Sequence, residues 1–96
     1  MKIIESEKTL ERLLKNMVEN KLKGLCLKLL STHYTGLPDR MCLLPGGKVF
    51  FVELKTSGMK PRKIQEWVHD KLRVLGFRVE VIDTSEQIKK LIQDYE

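Results

Sequence analysis

The segment Lys48 to Lys55, Lys-Val-Phe-Phe-Val-Glu-Leu-Lys, constrains the fold more than any other stretch of this 96-residue chain. Side chains of a β-strand alternate between faces, so Phe50, Val52 and Leu54 share one side, and Val49, Phe51, Glu53 and Lys55 share the other. Bulky apolar residues on both sides predict a central strand covered by a layer on each face. Glu53 and Lys55 then lie at the end of a covered strand, where a charge is costly unless it is paired or bound to a metal ion. A second apolar run, Met41 to Leu44, precedes Pro45-Gly46-Gly47, and a turn there folds the two runs into a hairpin that brings Asp39 beside Glu53. Two carboxylates with a lysine alongside suit Mg²⁺ or Mn²⁺, because hard divalent cations prefer carboxylate, carbonyl and water oxygens.

The remaining elements follow from periodicity and punctuation. A first helix is expected from about Ser6, a plausible N-cap, to Lys23, with Gly24 as its stop. Its apolar stripe is Leu10, Leu13, Leu14, Met17, Val18 and Leu22. At 100° per residue, Glu7 falls roughly 35° and Glu11 roughly 75° from the centre of that stripe, so Glu7 is the acid expected to face inward. Leu25 to Leu30 is too short for a helix and reads as the first strand. Ser31 to Pro38 is a polar loop leading to Asp39, with His33 and Tyr34 as residues able to touch a substrate. Arg40 to Leu44 is the second strand and Lys48 to Lys55 the third. After the loop Thr56 to Lys60, Pro61 suits the first turn of a second helix reaching about Leu75. Ile64, Trp67, Val68, Leu72 and Leu75 form its expected apolar face, with Trp67 as a core anchor and with Gln65 and His69 one turn apart beside that face. Lys60, Arg62 and Lys63 cluster near the start of this helix, where backbone amides and cations together favour phosphate. A strand, Arg78 to Ile82, follows. The closing helix starts at about Ser85, where Thr84 to Gln87 has capping-box spacing, and buries Ile88, Leu91, Ile92 and Tyr95. The order is αβββαβα, a single α/β domain with a sheet flanked by helices.

Composition bears on the partner. Eighteen Lys and Arg against thirteen Asp and Glu leave a net charge of +5, which favours a polyanion such as nucleic acid. No apolar run reaches the ~20 residues of a membrane span, and the N-terminal residues lack the apolar centre of a signal peptide, so a cytoplasmic location and no membrane partner are expected. Cys26 and Cys42 sit in apolar runs and read as free buried thiols. With no Cys-x-x-Cys pair and only two histidines, zinc is disfavoured.

Gly36-Leu37-Pro38-Asp39-Arg40, Leu43-Leu44-Pro45-Gly46-Gly47, Phe51-Val52-Glu53-Leu54-Lys55 and Gln65 together resemble the PD-(D/E)xK nuclease superfamily, and within it the virus-type replication and repair nucleases, the VRR-NUC family. The resemblance covers nearly the whole chain and implies a restriction-endonuclease-like core with a mixed sheet. It implies that Asp39, Glu53 and the backbone carbonyl of Leu54 bind Mg²⁺ or Mn²⁺, that Lys55 positions the attacking water and steadies charge on phosphate, and that Gln65 helps hold Lys55 or the water. Glu7 matches the acid of the family's first helix and would join the metal site. Arg40, Lys60, Arg62, Lys63 and His33 are the expected nucleic-acid contacts.

The implied activity is metal-dependent hydrolysis of DNA phosphodiesters by a structure-selective endonuclease similar to a Holliday-junction resolvase. Symmetric cutting of a four-way junction needs two active sites, which a chain this small supplies by forming a homodimer. The alternative is a catalytically silent nucleic-acid-binding module of the same fold. Inward-facing carboxylates where phosphate must approach argue against it, as they do against a purely structural domain.

Overall fold

The computed structural model describes residues 3–30 and 33–96. Ser31 and Thr32, part of the expected polar loop, and Met1 and Lys2 of the N-terminal segment lie outside the described residues. The elements are α1 (Glu7–Asn20), β1 (Leu25–Lys28), β2 (Arg40–Leu44), β3 (Lys48–Leu54), α2 (Lys63–Val74), β4 (Arg78–Ile82) and α3 (Ser85–Gln93), with a single 3-10 turn at Pro45–Gly47 between β2 and β3. The strands form one mixed sheet in the order β1-β2-β3-β4. The first two pairings are antiparallel, and β3 pairs with β4 in parallel. A parallel neighbour requires a crossover, which α2 supplies.

As its two apolar faces require, β3 is internal to the sheet. Phe50, Val52 and Leu54 pack with Leu10, Leu14 and Val18 of α1 and Ile88, Leu91 and Ile92 of α3 in one core. Tyr95 extends that core by stacking on Phe50, with ring centroids 4.9 Å apart. On the opposite face Phe51 meets Phe77 edge to face at 5.6 Å, and α2 covers the β3–β4 end through Val68 and the buried Gln65 and His69. Arg73 ties the far end of α2 to β4 by donating twice to the Val79 carbonyl, at 2.8 and 3.3 Å.

Local chemistry sets the helix ends. Ser6 Oγ accepts the Thr9 amide at 3.2 Å and caps α1. Thr84 and Gln87 form a reciprocal capping box on α3. The helix α1 stops at Asn20 rather than Lys23, and the left-handed residue beyond it is Lys23, φ 58°, not Gly24. Gly24 is required for space instead, since a Cβ there would lie 2.3 Å from the Leu43 carbonyl oxygen. The first strand is likewise shorter than expected, ending at Lys28. Cys26 and Cys42 are register partners across β1 and β2, their thiols free with sulfurs 3.8 Å apart. Among the described residues no helix is long and apolar enough to cross a membrane.

One expectation about α2 is overturned. Trp67 is not a core anchor: it is 54% exposed, and Ile64 and Leu75 are exposed with it. The buried face of the helix runs through Gln65, Val68 and His69. The sheet beneath ends in Glu53 and Lys55, and the helix turns its polar Gln65 and His69 toward that buried carboxylate, which leaves Ile64 and Trp67 outside. Trp67 instead lies under the Lys71 ammonium, 4.2 Å from the ring centroid.

Candidate active site

The β2–β3 register pairs Arg40 with Val52, which places Asp39 opposite Glu53 at the open end of the hairpin. Asp39 Oδ2 accepts the Leu54 amide at 2.8 Å, so the carboxylate is fixed to the backbone of β3. The approach to Asp39 is shaped by Gly36, whose φ of 98° and close packing leave no room for a side chain. A Cβ there would stand 2.8 Å from both the Ile64 carbonyl oxygen and a Val68 methyl carbon. On β3, Glu53 is 1% exposed. Its Oε2 lies 3.2 Å from Lys55 Nζ, the contact expected of two residues sharing a strand face. The Lys55 amide donates to the Ile82 carbonyl at 2.9 Å, extending the parallel pairing past the end of β3.

From the other layer, Gln65 Nε2 donates to Glu53 Oε2 at 2.9 Å, while Gln65 Oε1 accepts the Arg62 amide at 2.9 Å. The same side chain therefore caps α2 and grips the carboxylate, which is why the helix begins at Lys63 rather than Pro61. Gln65 holds Glu53 rather than Lys55, a refinement of its expected role. Beyond Lys55 the loop is stitched down: Ser57 Oγ accepts the Glu5 amide at 2.8 Å and donates to the Asp83 carbonyl at 2.9 Å. Glu5 Oε1 in turn accepts the Ser85 amide at the start of α3, at 2.8 Å.

One member of the cluster was missing from the expected site. His69 is 1% exposed and its Nε2 lies 3.9 Å from Glu53 Oε1. Both atoms are buried without a hydrogen-bond partner. The signal in the sequence was its spacing four residues after Gln65, which sets the two on one helix face. Burial pushes the Glu53 carboxyl above the usual glutamate range; the neighbouring Asp39 charge adds to this, and Lys55 opposes it. Burial, then the Arg73 charge, hold His69 below its ordinary value, which favours the neutral imidazole.

Two expected site residues stand elsewhere. Glu7 is exposed, as are Ser6, Lys8 and Thr9 around it. The helical wheel directs it toward the buried stripe, but burial along α1 begins only at Leu10. The acid of α1 that bonds to the hairpin is Glu11, 2.9 Å from Arg40 Nη2. Arg40 is correspondingly not free to meet phosphate: its side chain is 7% exposed, and Nη1 donates to the Asp39 carbonyl at 3.1 Å. Lys60, Arg62, Lys63 and His33 are exposed.

Asp39 and Glu53 fit a hard divalent cation. Their donors are carboxylate oxygens, and the buried Glu53 Oε1 lacks a partner in the protein. Among the described residues no three acidic, histidine or cysteine side chains form a metal-holding group. Mg²⁺ commonly uses one or two carboxylates and completes its shell with water and substrate phosphate.

Comparison with known proteins agrees with this geometry. No family model matches the sequence. The chain is 41% identical over 66 residues, 69% of its length, to 71% of the "Putative nuclease p44" of Acyrthosiphon pisum secondary endosymbiont phage 1. Its fold superposes on a solved VRR_NUC domain with a TM-score of 0.85 at 32% identity, covering 96% of this chain and all of that one. The hairpin carrying Asp39 and Glu53-x-Lys55, the covering helix with Gln65, and these likenesses in sequence and fold have one common explanation: the chain belongs to the VRR-NUC family of nucleases.

Proposed function

We propose that this nuclease is a divalent-metal-dependent DNA endonuclease that prefers branched substrates and works on four-way junctions as a homodimer. The observation that carries the reading is the convergence of Asp39, Glu53 and Lys55 at one end of the β2–β3 hairpin, with Glu53 Oε1 buried and unpartnered. A second reading, a silent binding module, leaves this buried charge cluster without a purpose.

Asp39, Glu53 and the Leu54 carbonyl would hold Mg²⁺ or Mn²⁺. When bound, such an ion supplies Lewis acidity to the phosphate and makes a nearby water more acidic. The residues of the chain do the rest. Asp39, pinned by the Leu54 amide, and Glu53, gripped by Gln65, keep the two carboxylates in fixed relation without reorganisation during the reaction. Lys55 steadies the charge that develops on the phosphate oxygens and orients the attacking water. Lys60, Arg62 and Lys63, at the start of α2, contact the phosphodiester backbone on its way to the hairpin.

For pairing, the outer side of α2 offers an apolar groove of about 670 Å³ that includes Tyr34, Leu37, Trp67, Leu72 and Leu75. An exposed apolar face beside an active site that must be duplicated is suited to a self-complementary contact. The likeness to a nuclease of a phage supports a reading in which the enzyme acts in the cytoplasm of an infected cell. The test is incubation of purified protein with labelled four-way junction, flap and linear duplex, in Mg²⁺, in Mn²⁺ and in chelator. Divalent-dependent cleavage strongest on the junction is expected. Junction binding without cleavage in either metal would leave the binding module as the better account.

A further inference from the structure

Gln65 and His69 stand one turn apart on α2 and address the two oxygens of the same carboxylate. Gln65 donates to Glu53 Oε2, which also faces Lys55. His69 Nε2 faces Glu53 Oε1 across 3.9 Å, and neither atom has another partner. That separation is about 1 Å longer than an N–H···O bond. The last torsions of glutamate and histidine are both broad, so rotation shared between the carboxylate and the imidazole can bring the two atoms into bonding range. Leaving both atoms unpaired would be expensive, since each has been stripped of water.

We propose that His69 is a positioning residue whose Nε2–H donates to Glu53 Oε1, so that one face of α2 clamps both oxygens and sets the carboxylate plane that the divalent cation meets. The part concerning the cation rests on the reading of Asp39 and Glu53 as its ligands. A carboxylate oxygen has two lone pairs, so Oε1 can accept the imidazole N–H and still ligate an ion. Groups that hold a ligating side chain in this way commonly change metal affinity by about 10–100-fold when removed.

A neutral imidazole carries one N–H, and the clamp requires it on Nε2. Long-range ¹H–¹⁵N correlation spectra of the metal-free wild-type protein at pH 8 report that tautomer directly. The Nε2–H form is expected, and the Nδ1–H form would overturn the clamp. The second measurement is Mn²⁺ affinity, from the electron paramagnetic resonance signal of the free ion, for wild type, His69→Leu and His69→Gln. Leucine fills space without a donor and should weaken binding by about tenfold or more, while glutamine, which keeps a donor, should stay within about threefold of wild type. Wild-type affinity in a folded His69→Leu protein would contradict any influence on the cation. Should His69→Leu fail to fold, the tautomer and the glutamine variant still decide, with affinity lost in folded His69→Gln counting against the clamp. Absence of Mn²⁺ binding by the wild type would instead refute the metal reading, leaving the spectra to decide the His69–Glu53 bond on their own.

Discussion

Glu53→Gln should stabilise the protein while abolishing its activity, and the size of the gain should depend on pH. The carboxylate is almost fully buried, with Lys55 Nζ 3.2 Å from Oε2. At an effective dielectric of about 20, that separation gives an attraction of ~5 kcal/mol. Against it stand a desolvation cost of several kcal/mol for each ion and repulsion from Asp39. The balance is shown by the carboxyl being pushed above its usual value of 4.5, with burial as the largest cause. Its surroundings therefore favour the neutral form. A glutamine oxygen in the place of Oε2 can still accept from Gln65 and Lys55, and its amide nitrogen can donate to His69 Nε2 once the neutral ring takes its other tautomer, so the isostere escapes a desolvation cost that outweighs the attraction to Lys55 and should gain about 1–2 kcal/mol at pH 8. In a domain of this size, that raises Tm by roughly 5–15 °C. Because the folded-state pKa lies above the unfolded one, the native wild type takes up a proton as pH falls through its folded value. Its deficit against Glu53→Gln should therefore shrink from pH 8 toward 4.5 and be smallest below that. Urea denaturation of both proteins across this range checks the sign. A variant less stable than wild type by about 1 kcal/mol at pH 8, or a difference unchanged down to pH 4.5, would refute the reasoning.

Gly36→Ala combines a left-handed backbone with a Cβ 2.8 Å from the Ile64 carbonyl oxygen. About 1–2 kcal/mol of strain plus about 1–3 kcal/mol of overpacking should lower Tm by ~10 °C or more, read by circular dichroism. Lys63→Ala should reduce the slope of log affinity for duplex DNA against log salt by about one, while Arg40→Met, which removes a guanidinium already paired to Glu11, should leave it unchanged. Trp67→Glu, placing a charge in the apolar groove on α2, should convert the proposed dimer to monomer in sedimentation velocity while leaving the fold intact.

The hairpin was legible because two independent signals agreed. Alternation set the faces of β3, Pro45-Gly46-Gly47 fixed the turn, and the register then left Asp39 opposite Glu53. The caps at Ser6 and Thr84 were legible for the same local reason, since a side-chain oxygen needs only a backbone amide two or three residues on. Rotation of α2 was not. Hydrophobic periodicity weighted Ile64, Trp67 and Leu75, whereas the inward face is set by what lies beneath it, a buried glutamate that requires Gln65 and His69. The inward placement of Glu7 failed for a different reason: a helical wheel gives a direction, but not whether the position is covered. Arg40, next to Asp39, was expected among the nucleic-acid contacts. Its burial follows from Glu11 on the neighbouring helix, a pairing with no local signature.

The most direct test of the account is single-turnover cleavage of a labelled four-way junction by Asp39→Ala beside the wild type, in Mn²⁺ and in chelator, with the fold of each verified by circular dichroism. The wild type should cut only with the metal, and the folded variant should lose at least about 10³-fold in rate, as expected when a residue holding the catalytic charge is removed. Cleavage by the wild type in chelator, or by Asp39→Ala at a rate near wild type, would contradict the assignment of this hairpin as the active site.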